Sequence, residues 1–191
     1  MKLKLVILSL FISNIFFAQS KWIIDPSHSS VQFAIDHLVI SEVTGSFNSF
    51  NGSMTMIADD LTTANLSGEI TVNSVDTKNG QRDGHLKAPD FFDAAKYPKI
   101  TFKSTSVSKI KNKTYLMKGD LTIKDVTKSI ELKVSHKGTA QFMGQTKTGI
   151  KVTAAINRSD FGLSYNSLLE TGGAIVGSEV RITLNFELVK R

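Results

Sequence analysis

VRITLNFEL, residues 180–188, is the stretch that decides the fold class of this chain. Apolar side chains stand at every second position and alternate with polar ones, the pattern of a β-strand with one buried and one solvated face. The same alternation recurs in SIELKVSH (129–136), in GIKVTAAIN (149–157) and in shorter segments, for about eight strands. Because the last strand is as amphipathic as the inner ones, the pattern favours a closed antiparallel β-barrel over a sheet with an open edge. A β-sandwich is the alternative architecture.

Turn-forming residue pairs separate the alternating segments. They are Asn51-Gly52, Lys111-Asn112, Lys124-Asp125 and Lys137-Gly138. Each pair predicts a turn between two strands.

The first twenty residues have the organisation of an export signal. Two lysines precede the apolar run Leu5–Phe17, and small residues follow that run. The run is shorter than the roughly 20 residues that a membrane span needs. The pattern therefore predicts a signal peptide at residues 1–20, cleaved near Ser20-Lys21, with an uncleaved anchor as the alternative. Residues 21–191 are then expected to form a single exported domain.

The composition excludes some classes of protein. The 191 residues contain no cysteine, so an exported domain of this sequence has no disulfides and depends on its hydrophobic core. The formal net charge is +6, and the lysines are spread over many segments. Because they do not form a stripe with interleaved aromatic residues, a nucleic-acid partner is not expected.

One long stretch breaks the alternation. It includes RDGHLKAPDFFDAAKYPKITF, residues 82–102. Asn79 is placed to cap one short helical turn and Asp90 another, and Pro98 prevents continuation of a helix. The sequence therefore predicts a short helical crossover at about residues 79–97, the kind of ordered long loop that usually serves a function or closes a structure.

The charged residues of this crossover support one catalytic hypothesis. Arg82, Asp83, His85, Asp90 and Asp93 are residue types that a hydrolase uses for acid/base chemistry. The chain has no cysteine nucleophile and no Gly-x-Ser-x-Gly motif, so helix caps and ion pairs are the simpler interpretation. A hydrolase is kept as the alternative function, and no catalytic residue is assigned.

Metal ligation has a weak signal, because no His-x-His, His-Glu-x-x-His or Cys-x-x-Cys spacing occurs. The four histidines lie in different segments of the chain: His28, His37, His85 and His136. Neither a metal nor a cofactor is predicted.

Three motifs resemble the YceI family: the stretch at 82–102, GDLTIKDVTKSIEL (119–132) and INRSDFGL (156–163). HLVISEVTGSFNSFNGSM (37–54) is similar to the N-terminal hairpin of that family. Val39 departs from the family pattern, in which a glycine often follows the His-Leu pair, and is expected to alter a local turn or a cavity wall. The resemblance covers essentially the whole chain after the signal peptide.

The resemblance implies a lipocalin-like, eight-stranded antiparallel barrel that is periplasmic or secreted. It also implies that the barrel holds a polyisoprenoid or another long-chain lipid in an elongated apolar cavity, without a cofactor. The expected function is therefore carriage, storage or shielding of a long-chain amphiphile, not catalysis. A transient membrane contact is compatible with that function, as is either a monomer or a homodimer. A weaker alternative is a dry-cored module that binds a protein partner through a glycine-rich flap at residues 168–180.

Apolar residues at inward positions are the candidates for ligand contact. An eight-stranded barrel is just wide enough to fill with side chains or to hold one small ligand, so the pattern leaves open which residues are core and which are cavity wall. Gly68, Gly119 and Ala154 would leave room inside. The candidate cavity residues are Phe33, Ile35, Phe47, Phe91, Phe92, Phe102, Ile123, Leu132, Ile156, Phe161, Val180 and Ile182.

Three polar residues are candidates for contact with a head group or for anchoring a loop: Arg82, His85 and Arg158. A guanidinium suits bidentate pairing with a carboxylate. The two arginines are therefore expected either to pair with aspartates of the same two loops or to meet an anionic lipid head group.

Overall fold

The computed structural model describes residues 19–165 and 175–191. In these residues eleven β-strands form one antiparallel sheet, which closes on itself through pairing of the first strand with the last. The strands are β1 (Gln19–Ile24), β2 (Ser30–His37), β3 (Ser41–Phe47), β4 (Phe50–Ile57), β5 (Asp60–Thr71), β6 (Val75–Asp76), β7 (Lys99–Lys111), β8 (Thr114–Ile123), β9 (Val126–Phe142), β10 (Gln145–Asn157) and β11 (Val176–Lys190). One α-helix, α1 (Gly80–Leu86), lies between β6 and β7.

Eleven strand segments make an eight-stranded barrel because three of the strands are interrupted. A 3-10 turn at Pro26–His28 divides β1 from β2, residues 48–49 divide β3 from β4, and a 3-10 turn at Val72–Ser74 divides β5 from β6. The two halves of the first strand both pair with β11, and the halves of the second pair with the corresponding halves of the first. The predicted eight-stranded antiparallel barrel is confirmed.

The alternation read from the sequence sets which side chains enter the barrel. In β8, Met117, Gly119, Leu121 and Ile123 are buried while the residues between them are less so. Successive side chains of a strand point to opposite faces, so one face of every strand meets the same interior. Burial of such a face stabilises the fold by about 25 cal/mol per Å² of apolar surface.

Two of the four predicted turns are confirmed, at Lys111-Asn112 and Lys124-Asp125, where the chain reverses between β7, β8 and β9. The prediction for Lys137-Gly138 was wrong, because this pair lies within β9. The chain turns instead at Met143-Gly144, where both residues have positive φ.

The prediction of a turn at Asn51-Gly52 was also wrong, because both residues lie within β4. Gly52 pairs with Gly68 of β5. A Cβ atom at residue 52 would lie 2.9 Å from the carbonyl oxygen of Ser67, so this glycine permits a close approach of two strands and does not form a turn.

The crossover contains less helix than predicted. Asn79 caps α1 as expected, since its side chain accepts a hydrogen bond from the backbone N–H of Arg82 at 3.0 Å. The second helical turn, at Asp90, was wrong: residues 88–97 form turns. Asp93 has a φ of 51°, which an α-helix cannot accommodate, and Asp90 binds a histidine side chain instead of a helix terminus.

Val39 lies in a turn, the place of one of the two effects expected of it. Leu38 and Val39 have φ angles of 55° and 65° at the tip of the β2–β3 hairpin, and the Val39 side chain is 81% exposed. A β-branched residue is unfavourable in this left-handed region, where glycine is not. Val39 therefore lies outside the cavity walls described below.

Some predictions concern residues outside the described ranges. Residues 1–18 of the predicted signal peptide and residues 168–174 of the predicted flap are among them, whereas residues 176–180 belong to β11. Strand β1 begins at Gln19, within the segment assigned to the signal peptide, and Ser20 is buried. Within the described residues, no helix is both long and apolar enough to cross a membrane.

Candidate functional site

Two adjoining cavities occupy the barrel. The first, of about 160 Å³, lies among the strands, and its lining is apolar apart from Gln32, Asn51, Glu69, Thr101 and Arg158. A lining this apolar offers few polar partners for water. It is therefore suited to an apolar group.

The second cavity, of about 260 Å³, lies where the crossover and the start of β11 meet the ends of β2 and β3. Its wall carries more polar groups, including His37, Thr77, Arg82, His85 and Tyr165. The two cavities together form an apolar chamber with a more polar chamber beside it.

Eleven of the twelve predicted cavity residues lie on a wall of one cavity or the other. The first cavity alone is lined by Phe47, Phe102, Ile123, Leu132, Ile156 and Ile182. The second alone is lined by Ile35 and Phe91. Both cavities are lined by Phe33, Phe92 and Val180. Contact of these residues with a ligand stays a prediction.

Phe161 is the residue that the structure places elsewhere. It is 1% exposed, belongs to the packed core and lies on neither cavity wall. The 3-10 turn Arg158–Phe161 ends at Gly162, which has a φ of 69°, and this sharp reversal brings Leu163 to both walls. No strand alternation extends into such a turn, so the sequence pattern could not distinguish the two side chains.

Two of the five residues that line both cavities, and so form the partition between them, are aromatic. Phe33 and Phe92 line both chambers, and Phe47 lies between them, with ring centroids 5.7 Å from Phe33 and 5.9 Å from Phe92. Gly45 makes room for the Phe33 ring, because a Cβ atom at this position would lie 2.4 Å from Phe33 Cζ. Phe92 comes from the crossover, so the crossover contributes to the partition.

The small residues predicted to leave space have different roles. Gly68 lies on the wall of the first cavity, whereas Ala154 lies on neither wall. Gly119 leaves no space, because the Phe102 ring covers it; a Cβ atom there would lie 2.3 Å from Phe102 Cζ.

An aromatic cluster lines the second cavity. The ring centroids of His85, Phe91 and Tyr165 lie 4.7–4.9 Å from one another. His85 Nε2 lies 2.7 Å from the Asp90 carboxylate, and this hydrogen bond holds the pKa of Asp90 below its usual value. The interaction orients the imidazole at the cavity wall.

Asp83 and His85, two of the residues named in the hydrolase hypothesis, do not pair with each other. Asp83 accepts hydrogen bonds from the backbone N–H and hydroxyl of Thr77, at 2.8 and 2.6 Å, while His85 pairs with Asp90. Among the described residues, no serine or threonine hydroxyl is hydrogen-bonded to His85. Within the described part of the crossover, His85 therefore has no hydroxyl nucleophile paired with it.

The two arginines do not form the predicted ion pairs with aspartates. Arg158 donates to three backbone carbonyls: Nε to Gly177 at 2.7 Å, Nη1 to Leu163 at 2.5 Å and Nη2 to Val176 at 3.2 Å. Arg158 is 4% exposed, and burial lowers the pKa of its guanidinium. These contacts tie the turn after β10 to the start of β11.

Arg82 is half-buried at the wall of the second cavity. It donates from Nε to the Thr77 hydroxyl at 2.7 Å and from Nη2 to the Thr77 carbonyl at 2.8 Å. The same hydroxyl donates to Asp83, so Thr77 stands between the guanidinium and the carboxylate. The three polar candidates thus all reach cavity walls, with Arg82 and His85 on the second and Arg158 on both.

One group of possible metal ligands occurs in the described residues, away from both cavities. Asp25, His28 and Glu187 bring one ligand atom each within 4.8 Å of one another. Lys147 Nζ lies 2.7 Å from Glu187 and 3.8 Å from Asp25, so a cationic side chain already pairs with these carboxylates. The sequence does not indicate this group, because Glu187 is distant from Asp25 and His28 along the chain.

Sequence reasoning also missed part of each wall. Several residues of the first cavity continue the period-two pattern and could have been found by following it: Phe50, Ile70, Ile100, Leu121, Ile130 and Leu184. Leu163 and Tyr165 follow a 3-10 turn, and no periodic signal marks them.

Comparison with known proteins agrees with this architecture. The YceI-like domain family matches residues 22–188 of the chain. A UPF0312 protein of Staphylococcus aureus (strain MSSA476) is 39% identical over 165 residues, which cover 85% of this chain and 94% of that protein.

Solved structures share the fold. BcnA of Burkholderia cenocepacia is 25% identical with a TM-score of 0.73, covering 87% of this chain and 98% of that one. The YceI protein of Campylobacter jejuni is 34% identical with a TM-score of 0.65, covering 81% and 88%. A domain of Saccharophagus degradans described as polyisoprenoid-binding is 14% identical with a TM-score of 0.65, covering 87% and 97%, a likeness of fold alone. From the match over residues 22–188 and the relative that is 39% identical across most of both chains, this protein belongs to the YceI-like family.

Proposed function

We propose that this protein binds a long-chain amphiphile, a polyisoprenoid or another lipid, and carries, stores or shields it. The observation that carries the proposal is the first cavity, an apolar chamber in the centre of a closed barrel. Membership of the YceI-like family supports it, and the S. degradans domain of the same fold is described as polyisoprenoid-binding. Binding of this kind requires neither a cofactor nor a covalent step.

Burial of the chain would supply the free energy of binding, at about 0.8 kcal/mol for each CH₂ group removed from water. The first cavity, of about 160 Å³, is close in size to an engineered apolar cavity that binds benzene. A chain of several isoprene units therefore needs both chambers and an open partition. Phe33 and Phe92, which line both chambers, are the side chains that would move.

We also propose that the protein acts outside the cytoplasm, in the periplasm or as a secreted protein. The support is the sequence pattern of residues 1–20, a basic start, an apolar run and small residues. Fractionation of native host cells tests this proposal, and recovery of the protein in the cytoplasm would contradict it. Mass spectrometry of the N-terminus then distinguishes a cleaved signal peptide from an uncleaved anchor, which would retain Met1.

The binding experiment has two stages. Protein purified from a lipid-containing host is analysed by native mass spectrometry and solvent extraction, and a bound lipid of defined mass is expected. The delipidated protein is then equilibrated with radiolabelled geranylgeraniol delivered from cyclodextrin, and saturable binding at one site is expected.

A matched pair of variants locates the binding site. Ile156→Trp adds bulk to the wall of the first cavity and is expected to weaken geranylgeraniol binding at least tenfold. Ile110→Trp makes the same change at a side chain that is 56% exposed and lines neither cavity, so its binding should match the wild type. Equal binding by both variants, or wild-type protein that is empty and does not bind the probe, would contradict the proposal.

A further inference from the structure

Arg158 is a buried cation whose partners in the described residues are all neutral. Its three hydrogen bonds go to the carbonyls of Leu163, Val176 and Gly177, and no carboxylate in residues 19–165 or 175–191 forms an ion pair with it. A guanidinium has five N–H donors, so two of them have no acceptor among the described residues. A buried charge without a counter-charge is unfavourable.

The carboxylates near the second cavity are engaged elsewhere. Asp36, which lines that cavity, pairs with Arg181 at 2.7 Å. Asp90 pairs with His85, and Asp83 binds Thr77. The positive charge of Arg158 is therefore not neutralised by the described acidic side chains around the cavity.

The location of Arg158 makes the charge relevant to a ligand. Among the described residues, Arg158 is the charged side chain that lines both cavities. It therefore lies where the first cavity meets the second. Arg82 adds a second cation on the wall of the second cavity, and its charge is offset in part by Asp83 across the Thr77 hydroxyl. Apart from Arg158, the described lining of the first cavity contains no cationic side chain for an acidic group.

We propose that Arg158, assisted by Arg82, binds an acidic head group, a carboxylate or phosphate, of an amphiphile whose chain extends from the second cavity into the first. The inference rests on the proposed function and specifies the ligand class that the site prefers. The head group supplies the counter-charge that the described carboxylates do not. Charge-assisted hydrogen bonds from a guanidinium to such oxygens are stronger than those between neutral groups. The preference for an acidic over a neutral amphiphile therefore arises from head-group contacts at the second cavity, and not from contacts along the lipid chain.

The test compares three probes with the same C20 prenyl chain: neutral geranylgeraniol, geranylgeranoic acid and geranylgeranyl phosphate. The readout is the ratio of the Kd of the alcohol to the Kd of each acidic probe, because the ratio cancels the contribution of the chain. In the wild type at least one acidic probe is expected to bind at least tenfold more tightly than the alcohol. The acid and the phosphate together distinguish a carboxylate site from a phosphate site.

Substitutions of the two arginines test whether these residues cause the preference for acidic probes. Arg158→Gln is expected to reduce the ratio to near one, Arg82→Gln to reduce it less, and Arg158→Lys to retain part of it because the charge remains. Lys118→Gln, at a half-exposed ion pair with Glu131 on the barrel surface, should leave the ratio unchanged. If Arg158→Gln does not fold, Arg82→Gln and Arg158→Lys still decide the question.

The outcomes separate the two proposals. Equal Kd values for all three probes in the wild type would overturn the head-group assignment while leaving lipid binding intact, whereas no binding of any probe would contradict the proposed function itself. Glu170 lies outside the described residues, so Glu170→Gln is included as a further control. An increased preference for the acidic probes in that variant would indicate an internal counter-charge and would also overturn the proposal.

Discussion

The first cavity and the second cavity share a partition but are built from different kinds of structure. The first is lined mainly by strand residues whose inward direction follows from period-two alternation. The second takes much of its wall from the crossover and from the turn after β10, where single polar side chains hold the backbone. We therefore expect substitutions in the barrel wall to act through side-chain volume. Substitutions around the second cavity should act through the loss of hydrogen bonds.

The largest expected effect is at Arg158. Arg158→Ala removes the donors of three backbone carbonyls in a buried site, and buried acceptors left without a partner are costly. We expect the free energy of unfolding to fall by about 3 kcal/mol, measured by urea denaturation. Lys137→Ala, at an exposed side chain, should change it by less than about 0.5 kcal/mol. Equal losses in the two variants would show that the carbonyl contacts do not anchor this loop.

Two glycine substitutions compare the wall with the crossover directly. Gly119→Ala places a Cβ atom 2.3 Å from Phe102 Cζ and 2.6 Å from the Lys103 carbonyl oxygen, so we expect a loss of about 2 kcal/mol from overpacking. Gly84→Ala, in α1, meets no atom within 4 Å and should raise stability by about 0.5 kcal/mol through helix propensity. Thermal denaturation measures both changes.

The opposite result at either glycine would contradict the contrast between a tightly packed barrel wall and an open crossover helix. A neutral Gly119→Ala would mean that the Phe102 ring can move away without cost, and the wall would then be adaptable. A destabilising Gly84→Ala would mean that α1 packs more closely than its open surroundings indicate.

The same contrast explains which features could be predicted from the sequence. Ile123 and Leu132 were placed on the cavity wall because each occupies an inward position of an alternating strand, and alternation is a local property. The partners of Arg158 could not be predicted, because a backbone carbonyl has no residue-type signature and those of Val176 and Gly177 lie 18 and 19 positions away. Only the turn geometry after β10 separates Phe161 from Leu163.

The smallest expected loss of stability lies at the opposite end of the barrel, in the turn between β4 and β5. Asp59 accepts hydrogen bonds from Lys190 Nζ at 2.8 Å and from the Ser20 hydroxyl at 2.7 Å, so it links the first described strand to the last. The hydrogen bond from Lys190, and to a smaller extent that from Ser20, lowers the pKa of Asp59 below its usual value. A carboxylate with a lower pKa in the folded than in the unfolded protein stabilises the fold above the unfolded-state pKa, and this contribution is lost as the pH falls through the folded-state pKa.

Asp59→Asn should therefore reduce stability at pH 7 by less than either destabilising change above, because the pair with Lys190 is partly exposed and screened by solvent. The difference from the wild type should be constant from pH 7 to about pH 5 and should shrink below about pH 4, where unfolded aspartate becomes protonated. Urea denaturation at several pH values, with a double-mutant cycle that includes Lys190→Met, measures it. A difference that stays constant down to pH 2 would show that the carboxylate charge is not what links the two strands, and that the hydrogen bond from Ser20 is sufficient.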